Sequence, residues 1–262
     1  MIDSKFSEFV EIVKRLREEC PWDREQTNDS IKSATIEETY EVVEAIENKN
    51  YQDLSKELGD LLLHVVFHTV IAEETKQFTL DDVIDQIKEK LIRRHPHVFG
   101  ETKVNDADEV KTNWEQIKME EGRESVLEGV PEQLPALQRA HRLQEKASKV
   151  GFDWEKKEDV WNKVIEEIEE MHSADLKNQN ENGSANSHEE LESEIGDVFF
   201  ALVNYARFLN VNPENALRRT NKKFIKRFMY VEKKISESGK SMIGSSLEEM
   251  DKYWEESKSR FN

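Results

Sequence analysis

Apolar residues along this chain recur at helical spacing, with no run of β-branched alternation punctuated by turns of the kind a sheet requires. Between Ile36 and Glu47, steps of 100° per residue gather Ile36, Tyr40, Val42, Val43 and Ile46 onto one broad face. Glu38 and Glu41 fall beside that face as an i,i+3 pair, with Glu37 next to them. The next helix, from Leu58 to Ala72, is apolar nearly all round and is expected to be enclosed by neighbours. Glu57 and Asp60 stand at its entrance, again at i,i+3, with Gly59 between them. Nine glycines and five prolines in 262 residues leave few breaks, so the pattern predicts an all-α fold.

The same pattern returns in the second half. RLRE at 15 to 18 recurs as RLQE at 142 to 145, and KELGDLLLHVVFH at 56 to 68 recurs as SEIGDVFFALVNY at 193 to 205. KEKLIRRH at 88 to 95 matches NKKFIKRF at 221 to 228, which sets Lys90 opposite Lys223 and Arg94 opposite Arg227. EVKTNWEQIK at 109 to 118 matches EMDKYWEESK at 249 to 258, which sets Trp114 opposite Trp254. The blocks keep their order, so the chain is read as a tandem duplication: copy one at 1–121, a linker at 122–136 bearing Pro131 and Pro135, and copy two at 137–262. Most of the length difference falls in KNQNENGSANSH at 177 to 188, a polar stretch expected to be a loop.

Charge narrows the function classes. A formal net charge of −18 makes nucleic acid or an anionic membrane an unattractive partner without a local basic patch, so neither is expected. One cysteine, Cys20, excludes an internal disulfide framework, and the amino terminus has no basic start followed by an apolar core. The greasiest run, Leu61 to Ala72, is shorter than the ~20 residues that cross a bilayer. A soluble cytoplasmic protein is expected.

Isolated acid-x-x-acid pairs carry little information in a chain with 56 acidic residues. Here each copy has two, the second fused to an apolar helix, with Gly59 and Gly196 at the same place between the acids. A helical glycine costs ~1 kcal/mol relative to alanine, and its usual return is close approach of a backbone or ligand. Four carboxylates drawn from two packed helices suit a hard divalent cation, Mg2+ above all where phosphate oxygens complete the shell. Lys90 with Arg94, and Lys223 with Arg227, share a helix face at i,i+4 and are candidates for holding phosphate oxygens. Trp114 and Trp254 suit either a core anchor or a stacking surface for a base. His95 and His97, in RRHPHVF, are read as the end of a basic helix before Pro96 and are given no metal.

With these blocks in view, the chain resembles the MazG family of the all-α NTP pyrophosphatase superfamily. The resemblance rests on KRLREECPWDREQT, IEETYEVVEAI, KELGDLLLHVVFH and RRHPHVF in copy one, and on VGFDW, EEIEE, SEIGDVFFALVN and NKKFIKRF in copy two. It implies two tandem MazG-like repeats, each a four-helix-bundle-type site completed by helices of a second chain in a homodimer. It also implies a hydrolase that converts a nucleoside triphosphate and water into a nucleoside monophosphate and pyrophosphate with Mg2+, or Mn2+ as substitute. The metal signature carries over onto Glu38, Glu41, Glu57 and Asp60, and onto Glu167, Glu170, Glu194 and Asp197. Substrate-holding positions fall on Lys163, Glu167, Lys223, Arg227 and Trp254, with Lys90 and Arg94 as their counterparts in copy one. Glu166, Glu170, Lys223 and Arg227 are the residues expected to act in the reaction, Glu166 as general base at the position matching Glu37. Near the position of Lys163, copy one is expected to offer Ile31 with Lys32 beside it, a weaker grip on triphosphate. The spacer before CPWD is shorter than the family's usual one.

Two other readings use the same acids. A carboxylate-bridged di-iron bundle wants a Glu-x-x-His in each of two helices; Glu169 and His172 supply one, and copy one has Tyr40 and Val43 there. A non-catalytic acidic adaptor would present the acids to a basic protein partner, and pyrophosphate release from nucleotides separates it from an enzyme.

Overall fold

The computed structural model describes residues 2–122 and 124–261, and their side chains apart from those at 2, 3, 108, 111, 112 and 115. Arg123, within the expected linker, and the outermost residues of the two expected copies, Met1 and Asn262, lie outside the described residues. Every regular element among the described residues is helical, in agreement with the all-α reading.

The chain forms two compact units, Met1–Asn105 and Asp106–Asn262. The first holds α1 (Ile2–Glu19), α2 (Pro21–Glu25), α3 (Lys32–Glu47), α4 (Tyr51–Glu74), α5 (Leu80–Arg94) and α6 (Pro96–Phe99). The second holds α7 (Ala107–Glu120), α8 (Ala136–Ser148), α9 (Lys157–Asn180), α10 (Ala185–Phe208), α11 (Pro213–Glu237) and α12 (Leu247–Lys258), with a 3-10 turn at Met242–Gly244. Helix α7, which self-alignment assigns to copy one, thus clusters with the second unit.

Each unit is built on a helical hairpin, α3 with α4 and α9 with α10. The corners match: Lys49 and Asn182 between the arms, and Lys76 and Asn210 after them, all have positive φ between 52° and 55°. This left-handed turn ends a helix by letting the next amide reach back to an orphan carbonyl. The following helices start on side-chain caps, with Asn50 accepting from the amides of Gln52 and Asp53, and Ser184 from that of Ser187.

The expected loop at 177–188 is mostly helix. Helix α9 runs to Asn180 and α10 begins at Ala185, leaving four residues for the corner. Asn, Gly and Ser read as loop residues, but here Ser184 caps α10, buried Ser187 donates to Asn178 Oδ1 at 3.0 Å, and Lys177 pairs with Glu190 across the hairpin. Glu41 to Glu57 spans 16 positions and Glu170 to Glu194 spans 24. The extra length is about one turn on each arm, which leaves the relation between the acids on facing helices unchanged.

Burial within each unit is one-sided. In the first, Val10 and Val13 of α1, Ile31, and Val66, Phe67, Val70 and Ile71 of α4 form the core. In the second, Val160 and Val164 of α9, Val203 of α10 and Val231 and Ile235 of α11 are buried. The expected enclosure of Leu58–Ala72 holds only for its later half: Leu58, Leu62 and Val65 are 42–50% exposed. The α3 face is open too, Ile36 and Ile46 being more than half exposed. Periodicity reports which residues share a face; it does not report whether anything in the same chain covers it.

Candidate functional site

The hairpins bring the predicted acids together twice. Carboxylate oxygens of Glu38, Glu41 and Glu57 lie within 4.8 Å of one another, and so do those of Glu167, Glu170 and Glu194. In each case two acids come from the first arm, at i,i+3, and one from the second. Asp60 and Asp197, one turn beyond Glu57 and Glu194, stand outside these trios, although the charge of Asp60 is felt at both Glu38 and Glu57. The expectation that these acids sit in the interior needs correction: Glu167 is buried at 8% exposure, whereas Glu41, Asp60, Glu170 and Asp197 are exposed. The expected close approach at Gly59 and Gly196 is not made by the chain, since a Cβ at either would meet nothing within 4 Å.

Grouping like charges has an electrostatic cost that shows in the titration of Glu38, Glu57 and Glu170. Glu38 is raised above the ordinary carboxylate range, first by partial desolvation and then by Glu41, Asp60 and Glu37. Glu57 is raised for the same reasons, desolvation first and then the charges of Glu41 and Asp60. Glu170 is raised by desolvation and by Glu167, with Lys163 opposing. Clustered oxygen donors that repel one another are what a hard divalent cation relieves, so the residues present fit Mg2+ or Mn2+.

Lys163 separates the two sites. Its Nζ lies 2.7 Å from Glu166 Oε1 and 2.8 Å from Glu167 Oε1, and these hydrogen bonds hold the ammonium well above the ordinary lysine range. In the register set by the carboxylates, the counterpart of Lys163 is Ala34; the expected Ile31 is three residues away and buried in the core. Lys32 pairs with Asp29 at 2.7 Å. The first unit instead carries a histidine network: Thr35 Oγ1 is 2.8 Å from both His64 Nδ1 and His68 Nε2, and His68 Nδ1 is 2.7 Å from Asn28 Oδ1. Burial lowers both imidazoles.

Lys163, Glu167 and Asp197 line a cavity of about 700 Å³ in the second unit. Its remaining wall is largely apolar, from Leu143, Ala147, Phe152, Trp154, Phe200 and Ala201, interrupted by Gln144, Asn204 and the Asp153–Arg207 ion pair. Leu127, in the stretch read as a linker, also lines it, held near α8 because buried Lys146 donates to the carbonyls of Val126 and Glu128 at 2.9 and 3.2 Å. Sequence reasoning missed Gln144 and Asn204. The signal that finds them is position-by-position comparison of the copies, where Arg17 and Phe67 occupy their places.

The structure does not bring every predicted residue to this cavity. Lys223, Arg227 and Trp254 lie on α11 and α12 and do not line it. Arg227 donates through Nε and Nη2 to the Phe261 carbonyl at 2.9 and 2.8 Å, and its guanidinium sits 5.9 Å from the Trp254 ring. Trp254 also packs on Phe224 at 5.2 Å. Lys223 is exposed. In the first unit Lys90 is exposed and Arg94 half-buried on α5; Trp114, on α7 of the second unit, has the Lys118 ammonium 5.4 Å over its ring.

Comparison with known proteins bears on the same hairpins. The MazG nucleotide pyrophosphohydrolase domain is matched twice, at residues 26–99 and 155–231. The chain belongs to the MazG family. A MazG protein of Thermotoga maritima named nucleoside triphosphate pyrophosphohydrolase/pyrophosphatase is 44% identical over 258 residues, covering 97% of this chain and 95% of that protein. The nucleoside triphosphate pyrophosphohydrolase of Escherichia coli K12 is 41% identical over 263 residues, covering 97% of each. A Bacillus subtilis protein, YabN, is 48% identical over 259 residues, which make up 52% of its length. Both MazG matches contain one carboxylate trio, so the duplicated match and the duplicated geometry coincide. No described helix is long and apolar enough to cross a membrane.

Proposed function

We propose that this chain hydrolyses nucleoside triphosphates to the monophosphate and pyrophosphate, and that the second unit carries the reaction. The observation that carries the proposal is the joining of a carboxylate trio, a lysine and a roomy cavity in one place, in a chain 41–44% identical to proteins named for that activity. Glu167, Glu170 and Glu194, with Asp197 a turn away, would hold Mg2+, or Mn2+ in its place. Bound there, the cation would supply charge neutralisation for the phosphate oxygens and acidify water.

The chain's own groups account for the rest. Lys163 stays cationic because two glutamates hold its proton, and it offers a charge-assisted donor to phosphate oxygens at the cavity mouth. Glu166 accepts from Lys163 through Oε1 while its Oε2 accepts from no described group, and to it we assign the proton of the attacking water. The water oxygen bonds to the α-phosphorus as the bond to the bridging oxygen breaks. One proton passes to Glu166 and the negative charge leaves with pyrophosphate. Lys223 and Arg227 are our candidates for receiving that charge from α11, Arg227 through Nη1, which donates to no described group.

We further propose a homodimer as the working form. Ile165, Ile168, Ile195, Phe199 and Leu202, on the hairpin that carries the site, are 37–56% exposed, more contiguous apolar surface than a free helix pair keeps.

The test is product analysis with the full chain, in the presence of Mg2+ and with chelator, in 18O-labelled water. Monophosphate carrying the label and unlabelled pyrophosphate are expected. A nucleoside diphosphate with orthophosphate would overturn the proposal, and metal-independent turnover would overturn the role of the acids.

A further inference from the structure

The cavity in the second unit is chemically divided along α10. Asp197 stands near the carboxylates, Phe200 and Ala201 a turn later form apolar wall, and Asn204 lies seven residues beyond Asp197, about 10 Å along the axis. That is comparable to the reach from an α-phosphate across a ribose to the edge of its base.

Asn204 is wired in one orientation. Arg207 donates through Nε at 3.1 Å and Nη2 at 2.9 Å to Asn204 Oδ1. A guanidinium has no acceptor, so the amide oxygen must face it and the Nδ2 group must face elsewhere. Asp153 in turn grips Arg207 through both carboxylate oxygens, a charge-assisted pair that ties the segment bearing Phe152 and Trp154 to α10. Asn204 Nδ2 donates to no described group. One turn earlier, Gln144 Nε2 donates to the Phe200 carbonyl at 2.8 Å, which leaves Gln144 Oε1 buried beneath the wall and accepting nothing. A buried amide oxygen without a donor is costly, and Gln144, on α8, meets α10 one turn before Asn204.

The fold does not demand these residues. In the register set by Gly59 and Gly196, Phe67 stands opposite Asn204, and RLRE against RLQE puts Arg17 opposite Gln144. Phe67 is buried in the first unit's core, and Arg17 donates to Glu74 at 2.7 and 2.9 Å and to the carbonyls of Asp23 and Gln26. Where one copy uses these positions for core packing and internal hydrogen bonds, the other sets an amide with an uncommitted donor on the wall of a cavity.

We propose that the apolar part of this cavity takes the nucleobase, and that Asn204 determines base specificity by donating through Nδ2 to an acceptor on the base edge, a ring nitrogen or exocyclic oxygen. The inference rests on the pyrophosphohydrolase reading, which puts the phosphates beside Lys163. Phe152, Trp154, Phe200 and Leu143 supply the apolar contact for the ring. A base that presents an amino group at that place leaves Asn204 facing another donor and is rejected.

The experiment measures kcat/KM of the full chain with Mg2+ for ATP, GTP, CTP, UTP and ribose 5′-triphosphate, which lacks a base. Asn204→Asp keeps an oxygen for Arg207 but exchanges the free donor for an acceptor; Asn204→Leu removes both. For the best base, the ratio to ribose 5′-triphosphate is expected to fall about ten-fold or more in both variants. The ranking among bases is expected to change in Asn204→Asp. An unchanged base profile, or an equal loss on every substrate including ribose 5′-triphosphate, would overturn the inference and leave Asn204 as an anchor for Arg207. Calorimetric binding of the same nucleotides separates the two levels of the proposal. A wild-type chain that hydrolyses none of them, yet binds with a base preference that Asn204→Asp alters, would sink the hydrolase reading alone; absence of any such preference would sink the base site.

Discussion

The two units place three glutamates at equivalent positions and then surround them differently. Glu167 has Lys163 at 2.8 Å and a cavity beside it. Glu38, its counterpart, has no lysine at the matching position, where Ala34 stands, and its titration is pushed up by desolvation and then by Glu41, Asp60 and Glu37. Around the first trio the neighbouring positions are spent on Phe67, Arg17 and the His64, Thr35 and His68 network. The duplicated fold thus preserves the geometry of the carboxylates while the residues beside them differ. What divides the copies is what stands beside the acids, Lys163 against Ala34 and the cavity-lining Asn204 against the core residue Phe67.

The largest expected difference is catalytic. Glu170→Gln with Asp197→Asn should lower pyrophosphate release about 1,000-fold, while Glu41→Gln with Asp60→Asn should lower it less than about three-fold. Helix content by circular dichroism should stay constant in both. If the first-unit pair were the more damaging, the comparison would be reversed. Next comes stability: Phe67→Ala should cost about 3 kcal/mol in denaturant unfolding, because it empties a packed core position. Asn204→Ala, facing a cavity, should cost under about 1 kcal/mol. Equal costs would mean that the second unit has no cavity at that position. A smaller effect follows from Lys163→Met, which should reduce kcat/KM about ten-fold by removing a charge-assisted contact; an unaltered value would take Lys163 out of the site.

The smallest effect concerns charge alone. The folded-state pKa of Glu57 is raised by desolvation and by Glu41 and Asp60. Between its unfolded value and that raised value the native state holds more protons, so stability declines as pH rises across the window and the penalty persists above it. Glu57→Gln should therefore raise the Tm of the metal-free chain slightly at pH 7, with the gain fading as pH falls into the carboxylate range. Glu170→Gln should gain less, because Lys163 already offsets part of the repulsion. With Mg2+ saturating, both substitutions should lower Tm instead, since they remove a ligand of the bound form. A rise in the presence of metal would contradict the assignment of these acids.

Helix identity, the tandem repeat and both carboxylate groups were legible because each depends on spacing within a helix. Glu38 with Glu41 and Glu167 with Glu170 must share a face at i,i+3, and the repeat supplies the partner helix. Three features escaped. The exposure of Ile36, Ile46 and Leu58 could not be read, since a moment points to a face without saying what meets it. Residues 177–188 read as loop by residue type, yet caps and cross-hairpin pairs outweigh weak helix propensity there. The cavity was hidden because a single polar residue, Asn204, in an otherwise apolar run looks like noise until Phe67 is set against it.

The longer hairpin of the second unit has a consequence for how such chains can change length. Because α9 and α10 advance together, an insertion at their tip preserves the opposition of acids lower down only if both arms grow by about one full turn. Viable indels at this tip should therefore come in steps of about seven or eight residues. The eight extra positions between Glu170 and Glu194 are one such step. A four-residue deletion would lift one arm against the other and slide Glu194 out of reach of Glu167. The tip is thus a place where tags or binding loops could be grafted, provided the graft respects that quantum.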